Sequence, residues 1–314
     1  MREVASLDTL LEEAAGLNLT PAWIEYEDPL FWPEPRSKFV PAHWHYDEIK
    51  DLLDAAGRLI DVALSTRRNF IMRNPVPRNN FATTNTLTCA YQMILPGEAA
   101  PSHRHTAHAL RVIVDGRGTF STVNGLKMPM ETGDVVLTPG WFWHGHGHDG
   151  DRPAYWIDGL DVPLMHHFET VSFEPHPDRY EQIVSIATTS PFRFTRESIM
   201  KGLDGAKPDP DGFHGPRITL ETPDMPSMGL AMERLGTGAT TRRQRSTADH
   251  VFAVVEGHGE TTINGERFAW KCGDSLVIPK WNKFEHHAAA DSLLFDLSDE
   301  PLMRFSKYYR FEAD

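Results

Sequence analysis

The sequence carries the same series of turn residues twice, and this repeat constrains the fold more than any other feature. Residues 115–141 read DGRGTFSTVNGLKMPMETGDVVLTPGW, and residues 256–281 read EGHGETTINGERFAWKCGDSLVIPKW. With one deletion, the aligned pairs are Gly116 with Gly257, Gly118 with Gly259, Asn124-Gly125 with Asn264-Gly265, Gly133-Asp134 with Gly273-Asp274, Pro139 with Pro279 and Trp141 with Trp281. Asn-Gly between alternating residues marks a hairpin, because both turn positions need positive φ. We therefore expect two copies of one β-rich fold.

The pattern of helix-like, β-rich and irregular stretches divides the chain into four predicted segments. Residues 1–80 have helix-like stretches at Leu7–Ala15 and Asp47–Leu64 between proline-rich connections, and we expect them to form a helical arm or cap. Residues 81–170 and 223–314 hold the two β-rich copies, whose short strands between glycine turns are typical of a sandwich or barrel. Residues 171–222 are irregular and are expected to link the two copies.

Charge and composition exclude several classes of function. The net charge of −13 argues against a nucleic-acid partner, which needs clustered basic residues. No apolar run is long enough to span a membrane, and the N-terminus lacks the plan of a signal peptide. Two distant cysteines indicate neither a disulfide framework nor a thiolate metal site. We expect a cytoplasmic protein that binds no membrane.

Two histidine-rich stretches carry the chemical signal. PSHRHTAHALR holds His103 and His105, and PGWFWHGHGH holds His144. With their preceding glycines and Pro139, these residues resemble the two cupin motifs, and the duplication makes the chain resemble a bicupin. The resemblance implies an all-β dominated fold of two jelly-roll β-barrels. It also implies that the three histidines bind one metal inside the first barrel, one strand supplying the first two and a neighbouring strand the third.

The donor set indicates the kind of metal. Most cupins add a glutamate after H-x-H, but no carboxylate follows His105 here. Three histidines leave coordination positions open, which fits a non-haem Fe(II) oxygenase better than a closed structural zinc site. In the second copy Gln244, Ser246 and Phe284 stand at the ligand positions, so we expect that copy to bind no metal. The alternative is a separate site at His250, His286 and His287, which are out of register.

The remaining histidines fit no motif. We expect His108, His148, His166 and His167 to be solvated or hydrogen-bonded, with the role of His108 left open. His43 and His45 also form H-x-H, but they precede a predicted helix, and we expect them to pack.

The sequence around the motif resembles one family more closely. TNTLTCAYQMILPGEAAPSHRHTAHALRVIVDGRG and GDVVLTPGWFWHGHGHDGDRPAYWIDGLDVP are similar to the gentisate 1,2-dioxygenase and salicylate 1,2-dioxygenase family, and the similarity runs from about residue 27 to the C-terminus. The resemblance implies one Fe(II) per chain and cleavage of an aromatic acid by O2 between the carboxyl-bearing and hydroxyl-bearing carbons. It also implies a homotetramer.

The resemblance further implies the residues of the pocket. Arg111 stands six residues after His105, and we expect it on the same strand face, binding the substrate carboxylate. His146 is expected to act on the phenol or on a peroxo intermediate, and Asp158 to orient His146. Further substrate-binding positions are Gln92, Arg67, Thr88 and Ala90, and which of Arg67 and Arg68 faces the pocket is left open.

Departures from the family pattern bear on the substrate. Ala107 and His108 follow HRHT where many gentisate-opening relatives differ, and Thr88 is smaller than the usual residue. Gentisate is slightly favoured, with a substituted salicylate such as 5-nitrosalicylate or 1-hydroxy-2-naphthoate as the alternative. A bicupin of different metal chemistry, or one without catalysis, is the second alternative.

Overall fold

The computed structural model describes residues 4, 6–27, 29–61, 65 and 67–314. The chain divides into two compact units at residue 36: the first ends at Arg36, and the second runs from Ser37 to Asp314. The helices within the described residues are Leu7–Gly16 (α1), Tyr46–Leu59 (α2), Val162–His167 (α3), Arg196–Gly205 (α4) and Glu300–Phe305 (α5).

Both predicted N-terminal helices are present. The first, predicted over Leu7–Ala15, begins where the Ser6 hydroxyl accepts the Thr9 N–H at 3.1 Å. The second, predicted over Asp47–Leu64, ends at Leu59, because Ile60 is already extended. Residues 62–64 of that prediction lie outside the described residues.

Short strands are the main regular structure in the rest of the chain, which confirms the prediction of a mainly β chain. The first thirteen are Ala42–Trp44 (β1), Arg68–Ile71 (β2), Thr88–Ile94 (β3), Ala99–His105 (β4), Ala109–Asp115 (β5), Thr119–Val123 (β6), Leu126–Met130 (β7), Val135–Thr138 (β8), His144–His148 (β9), Ala154–Leu160 (β10), Phe173–Pro175 (β11), Ser185–Ile186 (β12) and Arg193–Phe194 (β13). The others are Arg217–Thr219 (β14), Gly229–Leu235 (β15), Gln244–Ser246 (β16), His250–Glu256 (β17), His258–Ile263 (β18), Glu266–Lys271 (β19), Ser275–Ile278 (β20), Phe284–Ala288 (β21), Ser292–Ser298 (β22) and Phe311–Ala313 (β23).

These strands form four sheets, two in each half of the molecule. In the first half, sheet 1A has the order β13-β8-β5-β10-β3-β2 and sheet 1B the order β11-β4-β9-β6-β7-β12. In the second half, sheet 2A has the order β1-β20-β17-β22-β15-β14 and sheet 2B the order β19-β18-β21-β16-β23. The central orders β8-β5-β10-β3 and β20-β17-β22-β15 correspond strand by strand, so the predicted duplication is confirmed.

The Asn-Gly turns behave as predicted. Asn124 has φ 48° and Gly125 φ 80°, and Asn264 has φ 49° and Gly265 φ 89°. Positive φ at both positions closes a two-residue hairpin that matches the strand twist. Each turn joins two strands of sheet 1B or 2B, and this pairing fixes which residues of those strands face inward.

Successive side chains of sheet 1A point alternately into the core between sheets 1A and 2A and into the interior of the first half. On β10, Ile157 belongs to the core between sheets 1A and 2A, where it lies in one cluster with Phe295. Its neighbour Trp156 packs inside the first half with Met128 of sheet 1B. Asp158 faces the same interior as Trp156, because the two residues are separated by one position.

The segments outside the two β copies also supply strands. β1 pairs with β20 of the second half, and β13 pairs with β8 of the first half. The division of the chain at residues 80, 170 and 222 stays a prediction. Cys89 and Cys272 are both free, as expected. Among the described residues, no helix is long and apolar enough to cross a membrane.

Candidate metal centre

Three histidines meet on two neighbouring strands of sheet 1B. β4 carries His103 and His105 on one face, and His144 on β9 is the direct partner of His103 across the antiparallel pair. The ring centroids are 4.2 Å apart for His103 and His144, 4.8 Å for His105 and His144, and 5.2 Å for His103 and His105. One nitrogen from each ring lies within 4.8 Å of the others. The triad is therefore able to hold a metal ion.

The glycines of HGHGH explain why β9 can present its histidines inward. A Cβ at Gly147 would lie 2.3 Å from the ring of Phe120, and a Cβ at Gly145 would lie 2.8 Å from the Ser102 hydroxyl. A larger residue between His144 and His146 would displace the Ser102 side chain, so glycine lets the strand lie close against its neighbours.

Hydrogen bonds at Nδ1 orient two of the rings. His105 Nδ1 donates to the Ala107 carbonyl at 2.8 Å, and His144 Nδ1 donates to the Phe142 carbonyl at 3.0 Å. This tautomer leaves each Nε2 with a free lone pair, the arrangement that metal-binding histidines usually have.

Arg67, and not Arg68, points to the triad. Arg67 Nη2 lies 2.7 Å from His103 Nδ1 and 3.3 Å from the Pro101 carbonyl. Arg68 instead forms an ion pair with Glu98, at 2.5 and 2.6 Å. The question left open by the sequence is thereby answered by geometry.

The histidines are held neutral. Burial lowers the pKa of His103 to about 2, and the Arg67 guanidinium adds to the effect. Burial also lowers the pKa of His105 to about 4 and holds the pKa of His144 well below its ordinary value. Neutral imidazole is the form that binds metal, so the triad does not lose protons when it is loaded near pH 7.

Arg111 approaches the triad from the opposite sheet. The expectation that it shares a strand with His103 and His105 was wrong, since residues 106–108 separate β4 of sheet 1B from β5 of sheet 1A. Its side chain is 4% exposed. Along β5, Val112 belongs to the core between sheets 1A and 2A and Ile113 packs inside the first half, so strand alternation turns Arg111 into that interior. Its charge is also among the causes that lower the pKa of all three histidines.

Two neighbours fix the guanidinium of Arg111. Nη1 donates to the Thr138 hydroxyl at 2.6 Å, and Nε lies 3.3 Å from Asp158 Oδ1. Asp158 is the direct cross-strand partner of Arg111, and it also accepts the Trp156 indole N–H at 3.1 Å. Burial raises the pKa of Asp158 to about 6, although Arg111 opposes the rise.

Asp158 and His146 were expected to pair, but the structure gives Asp158 other partners. His146 is buried on β9, with its ring centroid 6.4 Å from His144 and 5.5 Å from Trp156. Within the described part of the chain, its Nδ1 has no hydrogen-bond partner. A buried imidazole with a free nitrogen can exchange a proton with a bound molecule.

Alternate residues of β3 complete the interior. Thr88, Ala90 and Gln92 pair with Leu160, Asp158 and Trp156 of β10, and all three are buried. The Thr88 hydroxyl has no hydrogen-bond partner among the described residues. The structure thus brings every predicted pocket position into the interior of the first half or to its edge. The sequence reading missed Thr138 and Trp156, although Trp156 stands two residues before Asp158.

The other histidines of the first half make hydrogen bonds or stack. His108 Nδ1 accepts the Gly140 N–H at 2.9 Å, which supports the turn before His144. His148 Nδ1 accepts the Gly150 N–H at 3.3 Å, and the His166 ring packs at a tilt against the Phe81 ring, with 4.7 Å between the centroids.

The second half has no imidazole at the ligand positions. Gln244 and Phe284 pair across β16 and β21 as His103 and His144 do across β4 and β9. The three out-of-register histidines do not converge: His250 Nδ1 lies 3.0 Å from Asp296, and His286 and His287 bond to threonine hydroxyls, those of Thr261 and Thr240. That no metal binds at these motif positions of the second copy stays a prediction.

Comparisons with known proteins agree on one kind of relative. The Cupin domain family model matches residues 90–162. A gentisate 1,2-dioxygenase of Aquipseudomonas alcaligenes is 33% identical over 93% of this chain and 92% of its own, and a 5-aminosalicylate 1,2-dioxygenase of a Comamonas species is 30% identical over 98% and 90%. The crystal structure of the salicylate 1,2-dioxygenase from Pseudoaminobacter salicylatoxidans with gentisate superimposes with a TM-score of 0.89 at 28% identity, covering 100% of this chain and 95% of that one.

Proposed function

The chain belongs to the family of the gentisate and salicylate 1,2-dioxygenases, as its sequence predicted, and we propose that it uses Fe(II) and O2 to open a salicylate-type aromatic acid between C1 and C2. Family membership makes it an oxidoreductase with a bicupin fold. The observation that carries the substrate class is Arg111, a buried cation that faces three neutral histidines.

Iron fits the donors present. His103, His105 and His144 offer three neutral imidazoles, and no carboxylate of a described residue belongs to this group of donors. Bound there, Fe(II) would supply the redox chemistry toward O2 and open positions for a chelating hydroxy acid.

The protein's own groups then bind and orient the substrate. The guanidinium of Arg111 receives the carboxylate, since Thr138 and Asp158 hold it in a fixed orientation. Asp158 is a positioning residue for Arg111. The Gln92 amide hydrogen-bonds a substituent of the ring, and Arg67 adds positive charge beside His103. The free nitrogen of His146 takes or returns the proton of the phenol.

The candidate substrates differ in the size of the ring and in its substituents. Gentisate is slightly favoured among the acids that the site could bind. Thr88 and Ala90 are small buried residues on the inward face of β3, which favours a 5-substituted salicylate or 1-hydroxy-2-naphthoate as the alternative. We also propose a homotetramer, which the family resemblance implies; Phe305 and Tyr308, 88% and 71% exposed, are apolar surface available for a subunit contact.

The test is anaerobic loading of the metal-free protein with ferrous iron, followed by substrate and air. One O2 should be consumed for each ring opened, with gentisate, salicylate, 5-nitro-, 5-amino- and 5-chlorosalicylate and 1-hydroxy-2-naphthoate compared. His103→Ala should lose both bound iron and turnover. Arg104→Ala is the matched control, because Arg104 lies between the two ligands of β4 and pairs with Glu174 at 2.6 Å outside the site. Iron binding without O2 consumption on any of these acids would instead indicate a bicupin of different chemistry.

A further inference from the structure

An aspartate occupies the same place in both halves, but its partners differ. In the first half Asp134 receives two hydrogen bonds from the Arg193 guanidinium, at 2.6 and 2.9 Å, and one from the Arg196 N–H at 2.9 Å. In the second half Asp274 accepts the Tyr46 N–H at 2.8 Å, and Tyr46 begins a helix just as Arg196 does. Both aspartates are buried.

His43 stands where the first half has its arginine. Arg193 on β13 pairs with Val136, two residues after Asp134, and His43 on β1 pairs with Leu276, two residues after Asp274. The position that carries a permanent positive charge in one half therefore carries an imidazole in the other.

Two imidazoles converge on the same oxygen of Asp274. His43 Nε2 and His45 Nδ1 each lie 3.3 Å from Oδ2, and the two rings are 4.1 Å apart. The side chains of Asp274 and His43 are 1% and 9% exposed, and His45 is 48% exposed. His43 Nε2 is buried without a hydrogen-bond partner among the described residues.

The two contacts with Asp274 have the length of a long hydrogen bond, which His45 Nδ1 makes, and also the length expected between two ligands of one metal ion. A charged N–H···O bond is usually about 2.7–2.9 Å long. Ligands about 2.0–2.1 Å from a tetrahedral zinc ion stand about 3.3–3.4 Å from one another. Both distances to Asp274 have this value, and the three donor atoms all lie within 4.8 Å of one another.

We propose that His43, His45 and Asp274 bind a divalent ion of the zinc class, separate from the triad of the first half. The expectation that His43 and His45 only pack is replaced by this assignment. The ion supplies the positive charge that Arg193 supplies in the first half, and it ties β1 and the start of α2 to the turn before β20. Because His45 lies at the protein surface, a water molecule can take the remaining ligand position of the ion. The site does not depend on the proposed ring-cleaving function.

Metal stoichiometry tests the site directly. The full chain is stripped with a chelator, saturated with Zn²⁺ alone and desalted, and bound zinc is measured. His103→Ala, which removes the triad, should retain one ion per chain, and His103→Ala combined with His43→Arg should retain none. Co²⁺ in the same variants should give the intense visible bands of a four-coordinate site only where His43 is present.

His43→Arg is the sharpest variant because it restores the arrangement of the first half. In a chain with the wild-type triad, His43→Arg should unfold at the same temperature as the wild type when no metal is present, and it should keep its iron-dependent activity. It should lose the added thermal stability that Zn²⁺ gives the wild type. If the arginine of His43→Arg does not fit, His45→Ala, which removes the exposed ligand, should lose the thermal stability that Zn²⁺ adds. The proposal is overturned if zinc binding by His103→Ala is absent, or if it is unchanged by both His43→Arg and His45→Ala.

Discussion

Arg111 gives the most direct test of how the site selects an acid. Nη1 of its guanidinium donates to Thr138 at 2.6 Å, and Nε, which lies 3.3 Å from Asp158, has no hydrogen-bond partner among the described residues. A carboxylate that meets the guanidinium makes a charge-assisted contact. Lysine keeps the charge but cannot span the same two anchors and present a planar edge as well.

The expected loss in Arg111→Lys follows from that contact. A hydrogen bond to a charged group contributes about 1.5–3 kcal/mol. At about 1.4 kcal/mol for each factor of ten, kcat/KM should fall by roughly 10- to 150-fold. Arg104→Lys makes the same chemical change on the outer face of β4, where Arg104 pairs with Glu174, and should leave kcat/KM within about twofold.

Binding of a neutral isostere separates charge recognition from structural damage. Salicylate and salicylamide differ in the carboxylate, so anaerobic titration of the iron-loaded protein with each gives the selectivity of the site. Wild type should prefer salicylate by at least tenfold, and Arg111→Gln should lose most of that preference while retaining its iron. An unchanged preference in Arg111→Gln would show that Arg111 does not bind the carboxylate.

Three further predictions concern other parts of the interior. Burial raises the pKa of Asp158 from 3.8 to about 6, so the folded state holds this proton more tightly than the unfolded state. As the pH rises from about 4 to about 6, the metal-free wild type should therefore lose roughly 2–3 kcal/mol of unfolding free energy relative to Asp158→Asn. A constant difference between the two proteins in urea unfolding would contradict this. Ala90→Leu should lower turnover of 1-hydroxy-2-naphthoate at least tenfold more than that of salicylate, whereas Cys89→Ala, on the other face of the same strand, should leave the ratio unchanged. Gly147→Ala should lower iron occupancy, because its Cβ would meet the Phe120 ring at 2.3 Å, and adding Phe120→Ala should restore the iron; failure of that rescue would place the defect elsewhere.

Local sequence was enough to predict that His103, His105 and His144 come together in an arrangement able to hold a metal. H-x-H on an extended strand places both rings on one face, and the turn residues before His144 bring its strand alongside. The structure shows this pairing directly, with His103 opposite His144. The selection of Arg67 over Arg68 could not be predicted, because both precede or begin β2 and only Glu98 decides which one turns away.

Contacts between distant segments were the part that sequence could not reveal. Arg111 was expected on the strand of His105, but the turn at residues 106–108 carries the chain to the opposite sheet. Asp158 was expected to orient His146, yet the register of β10 against β5 places it beside Arg111. The pairing of His43 with Leu276 joins residues more than two hundred positions apart, and no local periodicity predicts it.

The two halves show what the polar interior around the histidine triad requires of the fold. Asp296 corresponds to Asp158 by its register, and its partner on β17 is Phe252, where the first half has Arg111. Phe284 likewise replaces His144, and the two phenylalanine rings lie 6.0 Å apart in the core of the second half. Each buried phenylalanine contributes about 1.5–3 kcal/mol of hydrophobic stabilisation, which the first half gives up to keep a guanidinium and an imidazole in its interior. Since sheets 1A and 2A share one apolar core, stability from the second half supports the polar interior that the chemistry needs.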